Sequence, residues 1–96
     1  MTWEDLKSHN LTVYSTPWCG DCKKFKRTLE SHGITYSEVD IEEDGDAATK
    51  LMEATGHRAI PYVRIDGGVY VKGWHKDAPG RWSDDLFFND IEAALA

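Results

Sequence analysis

Val13-Tyr14-Ser15-Thr16-Pro17-Trp18-Cys19-Gly20-Asp21-Cys22 is the stretch whose reading decides the fold. With Leu11 and Thr12, its first residues form an apolar run that reads as a buried strand. Thr16-Pro17-Trp18 is a loop. A helix is predicted from about Gly20 to His32, because Cys22, Phe25 and Leu29 recur at helical spacing on one face. Lys23, Lys24, Lys26 and Arg27 occupy the remaining faces, and Gly33 suits the positive φ that ends a helix. Cys19 and Cys22 are the only cysteines. A secreted disulfide scaffold of this size would carry more, and a bridge between residues three apart restrains little of an unfolded chain. The pair therefore reads as chemistry rather than as a staple.

That chemistry follows from position. Cys19 is placed at a helix N-terminus, where unpaired backbone N–H groups and the helix dipole favour an anion. A thiolate is the nucleophile of disulfide exchange, and such a setting lowers a thiol's pKa. The nearby lysines and Arg27 act in the same direction and Asp21 against it. Cys22, one turn deeper on the core-facing stripe, is expected to stay protonated and to attack Cys19 once Cys19 carries a mixed disulfide. Gly20 leaves room for an incoming sulfur. Three other readings stand beside this one. The thiols could be unreactive. They could form half of a zinc site, which wants four ligands. They could hold an iron–sulfur cluster, which would need further thiolates. His9, His32, His57 and His75 have no ligand-pair spacing and read as surface or loop residues.

Outward from this unit, residues 2–9 are predicted as a short helix capped by Thr2. Residues 34–40 alternate like a second strand. Residues 38–46 hold six acids and no base, read as a solvated strand end and the acidic start of the next helix. An EF-hand is excluded by the ligand spacing. A helix over about residues 45–55 carries Ala48, Leu51, Met52 and Thr55 as its stripe, and Gly56 stops it. Residues 60–65 form a third strand, Asp66-Gly67-Gly68 is hairpin chemistry, and residues 69–72 return as a fourth strand. Residues 73–82 are a loop with Trp74 and Trp82, which either cover the sheet edge or wall a groove. Ser83 caps a last helix with Phe87, Ile91 and Leu95 facing inward.

The length of 96 residues suits a single domain over 1–96. Net charge is −6, which disfavours nucleic acid and anionic membrane surfaces, since both call for surplus Lys and Arg. No apolar run is long enough to span a bilayer, and no signal peptide is visible at the N-terminus. A cytoplasmic monomer is expected.

With these residues in hand, the sequence resembles the glutaredoxin family over about residues 10–95. The strand, loop and C-x-x-C order matches, a C-x-x-C in a βαβ context being thioredoxin-like. Pro61, within Ala59-Ile60-Pro61-Tyr62, matches the family's cis-proline. The resemblance implies an α/β, thioredoxin-like fold: a four-stranded mixed sheet flanked by three helices, plus a short N-terminal helix. It implies a thiol-disulfide oxidoreductase with Cys19 and Cys22 as the redox-active pair. The implied substrate groove lies among Thr16, Trp18, Ile60, Pro61, Ser83 and Asp84, with the Ile60 backbone pairing with a bound thiol or peptide. No bound cofactor or metal is implied. A low-molecular-weight thiol, mycothiol or glutathione, is the implied cosubstrate. Disulfide-containing or thiolated proteins and a reductase, thioredoxin reductase among them, are the implied partners.

Two departures bear on the choice of thiol. Thr16 stands where glutathione-using members place a Lys, and the family's Gly-Gly-x-Asp-Asp segment is reduced to Arg81-Trp82-Ser83-Asp84-Asp85. Thr16 and Trp18-Cys19-Gly20 are similar to mycoredoxins. They are also compatible with redoxins that donate electrons to ribonucleotide reductase.

Overall fold

A computed structural model describes residues 1–56, 60–73 and 84–96. Its elements are α1 (Trp3–Leu6), β1 (Leu11–Ser15), α2 (Gly20–Ser31), β2 (Ser37–Asp40), α3 (Gly45–Thr55), β3 (Tyr62–Ile65), β4 (Val69–Lys72) and α4 (Asp84–Leu95). The sheet order is β2-β1-β3-β4. β1 pairs with β2 in parallel and with β3 antiparallel, and β3 pairs antiparallel with β4. The mixed four-stranded sheet is as the sequence predicts, and the crossover through α2 explains why β1 and β2 run the same way.

The ends of these elements follow from local chemistry. Thr2 and Asp5 form a capping box at the start of α1. That helix is shorter than residues 2–9, because the Ser8 hydroxyl takes the Asp5 carbonyl at 2.8 Å as the chain turns toward β1. At the end of α2, Gly33 sits at φ 71°. Its N–H donates to the Glu30 carbonyl and that of Ile34 to the Leu29 carbonyl, each at 3.0 Å. This is a Schellman closure. It explains why β2 begins at Ser37 rather than Ile34: Ile34 is spent on the helix end and buried in the core there, and pairing with β1 starts only at Thr12 opposite Ser37. β3 likewise starts at Tyr62 rather than Ile60, since Pro61 has no N–H to give a ladder. The acidic run leads as expected into the start of α3, where Asp44 caps the helix by accepting the Ala47 N–H at 3.0 Å.

Two apolar clusters sandwich the sheet. On one face, Val13, Val63 and Val71 meet Phe25 and Leu29 of α2 and Phe87 and Ile91 of α4. On the other, Tyr14 and Ile41 meet Ala48 and Leu51 of α3. Two expected core positions are corrected. Leu95 and Met52 are exposed, and on α4 it is Phe88 that turns inward with Phe87 and Ile91. The Trp3 ring takes up Phe88 edge-on at a centroid distance of 4.9 Å, which explains why α4 buries two successive aromatics.

The β3–β4 turn is fastened to the start of β1. Asp66 and Gly67 take successive positive φ values of 53° and 68°, the requirement of primed hairpin turns. The Asp66 carboxylate accepts the Asn10 N–H at 2.7 Å and contacts the His9 Nδ1 at 2.6 Å. Those partners, His9 first and the Asn10 backbone second, hold the Asp66 carboxyl below its ordinary value of 3.8. A carboxyl whose folded pKa is depressed adds stability above its unfolded pKa and loses it as pH falls through the folded one. Melting temperature should therefore decline as pH is lowered below about 4, and less steeply in Asp66→Asn, whose side chain still tolerates positive φ. Melting curves of both proteins between pH 6 and pH 2 check this, and parallel declines would refute it.

Candidate active site

β1 delivers the loop of residues 16–18 to one end of the sheet, and three segments converge there. The first is that loop with Cys19. The second is the β2–α3 turn, bolted to β1 by the Ile41 N–H donating to the Ser15 carbonyl at 3.1 Å. The third is Ile60–Pro61. Because β3 is antiparallel to β1 with Tyr62 opposite Tyr14, Pro61 falls beside the carboxyl end of β1. The Ile60–Pro61 peptide is cis, matching the expectation for Pro61. The Pro61 carbonyl is taken by the Gly73 N–H at 3.0 Å, tying the turn to the end of β4. Ile60 packs against the cluster of Tyr14, Ile41, Ala48 and Leu51.

Cys19 is the N-cap residue of α2, with extended backbone at φ −78° and ψ 112°. Its Sγ accepts the Cys22 backbone N–H at 3.1 Å, so sulfur takes the place of the oxygen that usually caps a helix. Cys19 and Cys22 are joined as a disulfide with a Cα separation of 5.2 Å. Cys19 retains 8% of its surface and Cys22 none. Of the two residues, only Cys19 meets solvent. Around the pair, Lys23 and Lys24 are exposed on the first turns of α2, while Lys26 pairs with Glu38 at 3.3 Å.

The other predicted site residues are placed as follows. Trp18 stands out at 69% exposure beside Cys19, a half-free platform rather than a core anchor. Its indole N–H donates to Glu42 on the β2–α3 turn. Thr16 is only 2% exposed, and its hydroxyl has no hydrogen-bond partner among the described residues. Its carbonyl accepts the Cys19 N–H at 3.3 Å. Thr16 thus shapes the loop through its backbone, with its side chain turned into the protein. Asp84 accepts the Trp3 indole N–H at 3.2 Å. That ring stacks on His32, the C-cap of α2, at a centroid distance of 4.1 Å. α2 is roughly 18 Å long, so this contact ties Asp84 toward the helix end opposite Cys19. Ser83, the cap expected for α4, and the loop tryptophans Trp74 and Trp82 lie outside the described residues. Glu42 escaped the sequence analysis as a site residue, being read only as one acid of a charged run.

Among the described residues no group of three or more His, Cys, Asp or Glu side chains is arranged to hold a metal ion, and no helix is long and apolar enough to cross a membrane. A four-stranded mixed sheet, a C-x-x-C disulfide at the N-terminus of its crossover helix and a proline turn at the same sheet end define a thioredoxin-like redox domain. Residues 11–70 match the glutaredoxin family model. The chain belongs to the glutaredoxin family.

A Mycobacterium tuberculosis protein whose name assigns it to the glutaredoxins is 41% identical over 59 residues, covering 60% of this chain and 70% of that protein. Mycoredoxin 1 of Corynebacterium glutamicum is 31% identical over 62 residues, 64% of this chain and 76% of its own. A buckwheat glutaredoxin solved in complex with glutathione superposes with a TM-score of 0.58 at 30% identity, covering 73% of this chain and 66% of that one. The NrdH-redoxin of Escherichia coli gives 0.59 at 28% identity, covering 71% and 87%.

Proposed function

We propose that the protein reduces mixed disulfides of proteins or small thiols through Cys19 and Cys22. The observation that carries this reading is the capping of α2 by the Cys19 sulfur, which puts the helix's positive end on the sulfur of the one residue of the pair that meets solvent. In the reduced protein, the Cys19 thiolate attacks a substrate disulfide. A Cys19–substrate disulfide forms and the first substrate thiolate leaves. Cys22 loses its proton and attacks Cys19 Sγ. The Cys19–Cys22 disulfide closes and the second substrate thiolate leaves. Two electrons have passed to the substrate, and an external thiol or reductase restores the dithiol.

For the cosubstrate we favour a mycothiol-type thiol over glutathione. Thr16 supplies no cation, and its side chain is buried. Glutathione thereby loses one charge-assisted contact, an interaction of about 1.5–3 kcal/mol, or roughly one to two orders of magnitude in affinity. Similarity to mycoredoxin 1 supports this choice. Likeness to NrdH-redoxin, a glutaredoxin-like protein with a thioredoxin-like activity profile, supports a second reading, in which thioredoxin reductase is the electron source and ribonucleotide reductase the acceptor.

Turnover should be compared with a mycothiol mixed disulfide, a glutathione mixed disulfide and thioredoxin reductase as electron source. The mycothiol rate is expected to exceed the glutathione rate at least about tenfold. Equal rates would remove the preference, and turnover with thioredoxin reductase alone would move the protein to the electron-donor reading.

A further inference from the structure

We propose that Glu42 is a positioning residue that holds the Trp18 ring as a fixed wall beside Cys19, so that substrates dock against a preset indole. The inference rests on the exchange reading at Cys19 and goes beyond it in assigning a role to a residue of the acidic turn.

Three observations carry it. First, Trp18 keeps 69% of its surface in water. Next to Cys19, a ring of that size offers an amphipathic face against which a substrate can pack. Second, the ring is restrained: its N–H donates to a Glu42 carboxylate oxygen, the two residues being 24 apart in sequence. A bond to an ionised acceptor is stronger than one between neutral groups and is directional. Third, Glu42 sits on a turn that is tied to β1, the strand that leads to Cys19. The Glu42 N–H donates to Asp40 Oδ1 at 2.9 Å. The Asp44 N–H closes the turn onto the Asp40 carbonyl, also at 2.9 Å. Ile41 anchors it to Ser15 and buries its side chain against Tyr14. The turn and the loop that carries Trp18 both hang from the end of β1, so the carboxylate fixes the ring against the strand that delivers the nucleophile.

Ordering a ring before a substrate arrives removes an entropy cost from binding. The effect belongs in KM, not in the sulfur chemistry. Glu42→Gln keeps a carbonyl oxygen that can accept the indole N–H. Glu42→Ala removes the acceptor. Trp18→Phe keeps a ring and removes the donor.

The test uses an S-cysteinylated peptide as substrate with dithiothreitol as electron source, which leaves the identity of the natural thiol aside. Glu42→Ala should raise KM about two- to fivefold at unchanged kcat, the range open to an exposed charge-assisted contact. Glu42→Gln, whose neutral oxygen accepts more weakly, should recover most of the wild-type KM. In a Trp18→Phe background, Glu42→Ala should add nothing. By NMR, the indole N–H resonance that vanishes in Trp18→Phe should shift and exchange faster with water in Glu42→Ala, but not in Glu42→Gln. An indole resonance indifferent to Glu42→Ala overturns the proposal. So does an unchanged KM, a failure of Gln to rescue, or an equal KM rise without the tryptophan, since the last two would assign the effect to charge alone. A wild type without turnover is a different result, because it removes the exchange reading itself.

Discussion

Replacing Cys19 with serine is expected to reduce disulfide exchange more than about a thousandfold, to the detection floor, with every reductant and substrate. A serine hydroxyl stays protonated at neutral pH and is a poor nucleophile toward sulfur. No other thiol can substitute, because Cys22 is fully buried beneath it. Cys22→Ser should behave differently. It leaves Cys19 at the helix start with the residue 22 backbone N–H still pointing at its sulfur. A small-thiol mixed disulfide at Cys19 can then be cleared by a second small thiol from solution, so that activity persists. Protein disulfides that need Cys22 to release the mixed intermediate should instead trap the variant as a covalent complex. Steady-state rates with a small-thiol mixed disulfide, together with non-reducing electrophoresis of the trapped species, read both outcomes. Retained turnover in Cys19→Ser with loss in Cys22→Ser would reverse the roles of the two sulfurs.

The placement of the two sulfurs was legible in the sequence because it rests on local rules. A strand, a three-residue loop and a helix put Cys19 at an N-terminus, and helical periodicity sends Cys22 toward Phe25 and Leu29. The Gly33 closure and the hairpin at Asp66–Gly67 are equally local, and each took the expected form. What escaped were contacts between segments distant in sequence. Nothing in the acidic run distinguishes Glu42 from Glu43 until the end of β1 brings Trp18 to the turn. Asp84 reads as a helix-start ligand by analogy. It is engaged instead by Trp3, 81 residues away, through packing that no periodicity encodes. Thr16 occupies the position of a ligand-binding cation, yet loop geometry turns its side chain inward. The overlong second strand has a different cause. The alternation from Ile34 is real, but strand length is set by where pairing begins, and the ladder between β1 and β2 starts only at Thr12 opposite Ser37.

Phe25→Ala should be the most destabilising substitution on the face that α2 shares with α4. The Phe25 ring is fully buried and meets Phe87 edge-on at a centroid distance of 5.5 Å. It also lies so close to the end of β4 that a Cβ added at Gly73 would stand 3.0 Å from it. The ring therefore fills the junction of α2, α4 and the strand that pins Pro61. Removing it costs the transfer free energy of a phenyl group and leaves a cavity. Its walls are held by helix and sheet hydrogen bonds and can close in only partly. Such a change costs about 3–5 kcal/mol against a total stability of about 5–15 kcal/mol. For a domain of this length the melting temperature should fall by at least about 12 °C. Phe25→Leu, which refills part of the space, should lose about 1–2 kcal/mol. Thermal melts and urea titrations followed by circular dichroism measure both. A fall of only a few degrees in Phe25→Ala would mean that α2 is held by something other than this ring. The fate of Cys19 separates packing from chemistry in the same variant. The cap is made by the first turn of α2, so wherever Phe25→Ala remains folded its initial exchange rate should stay near wild type. Loss of activity should then track the unfolded fraction as temperature rises.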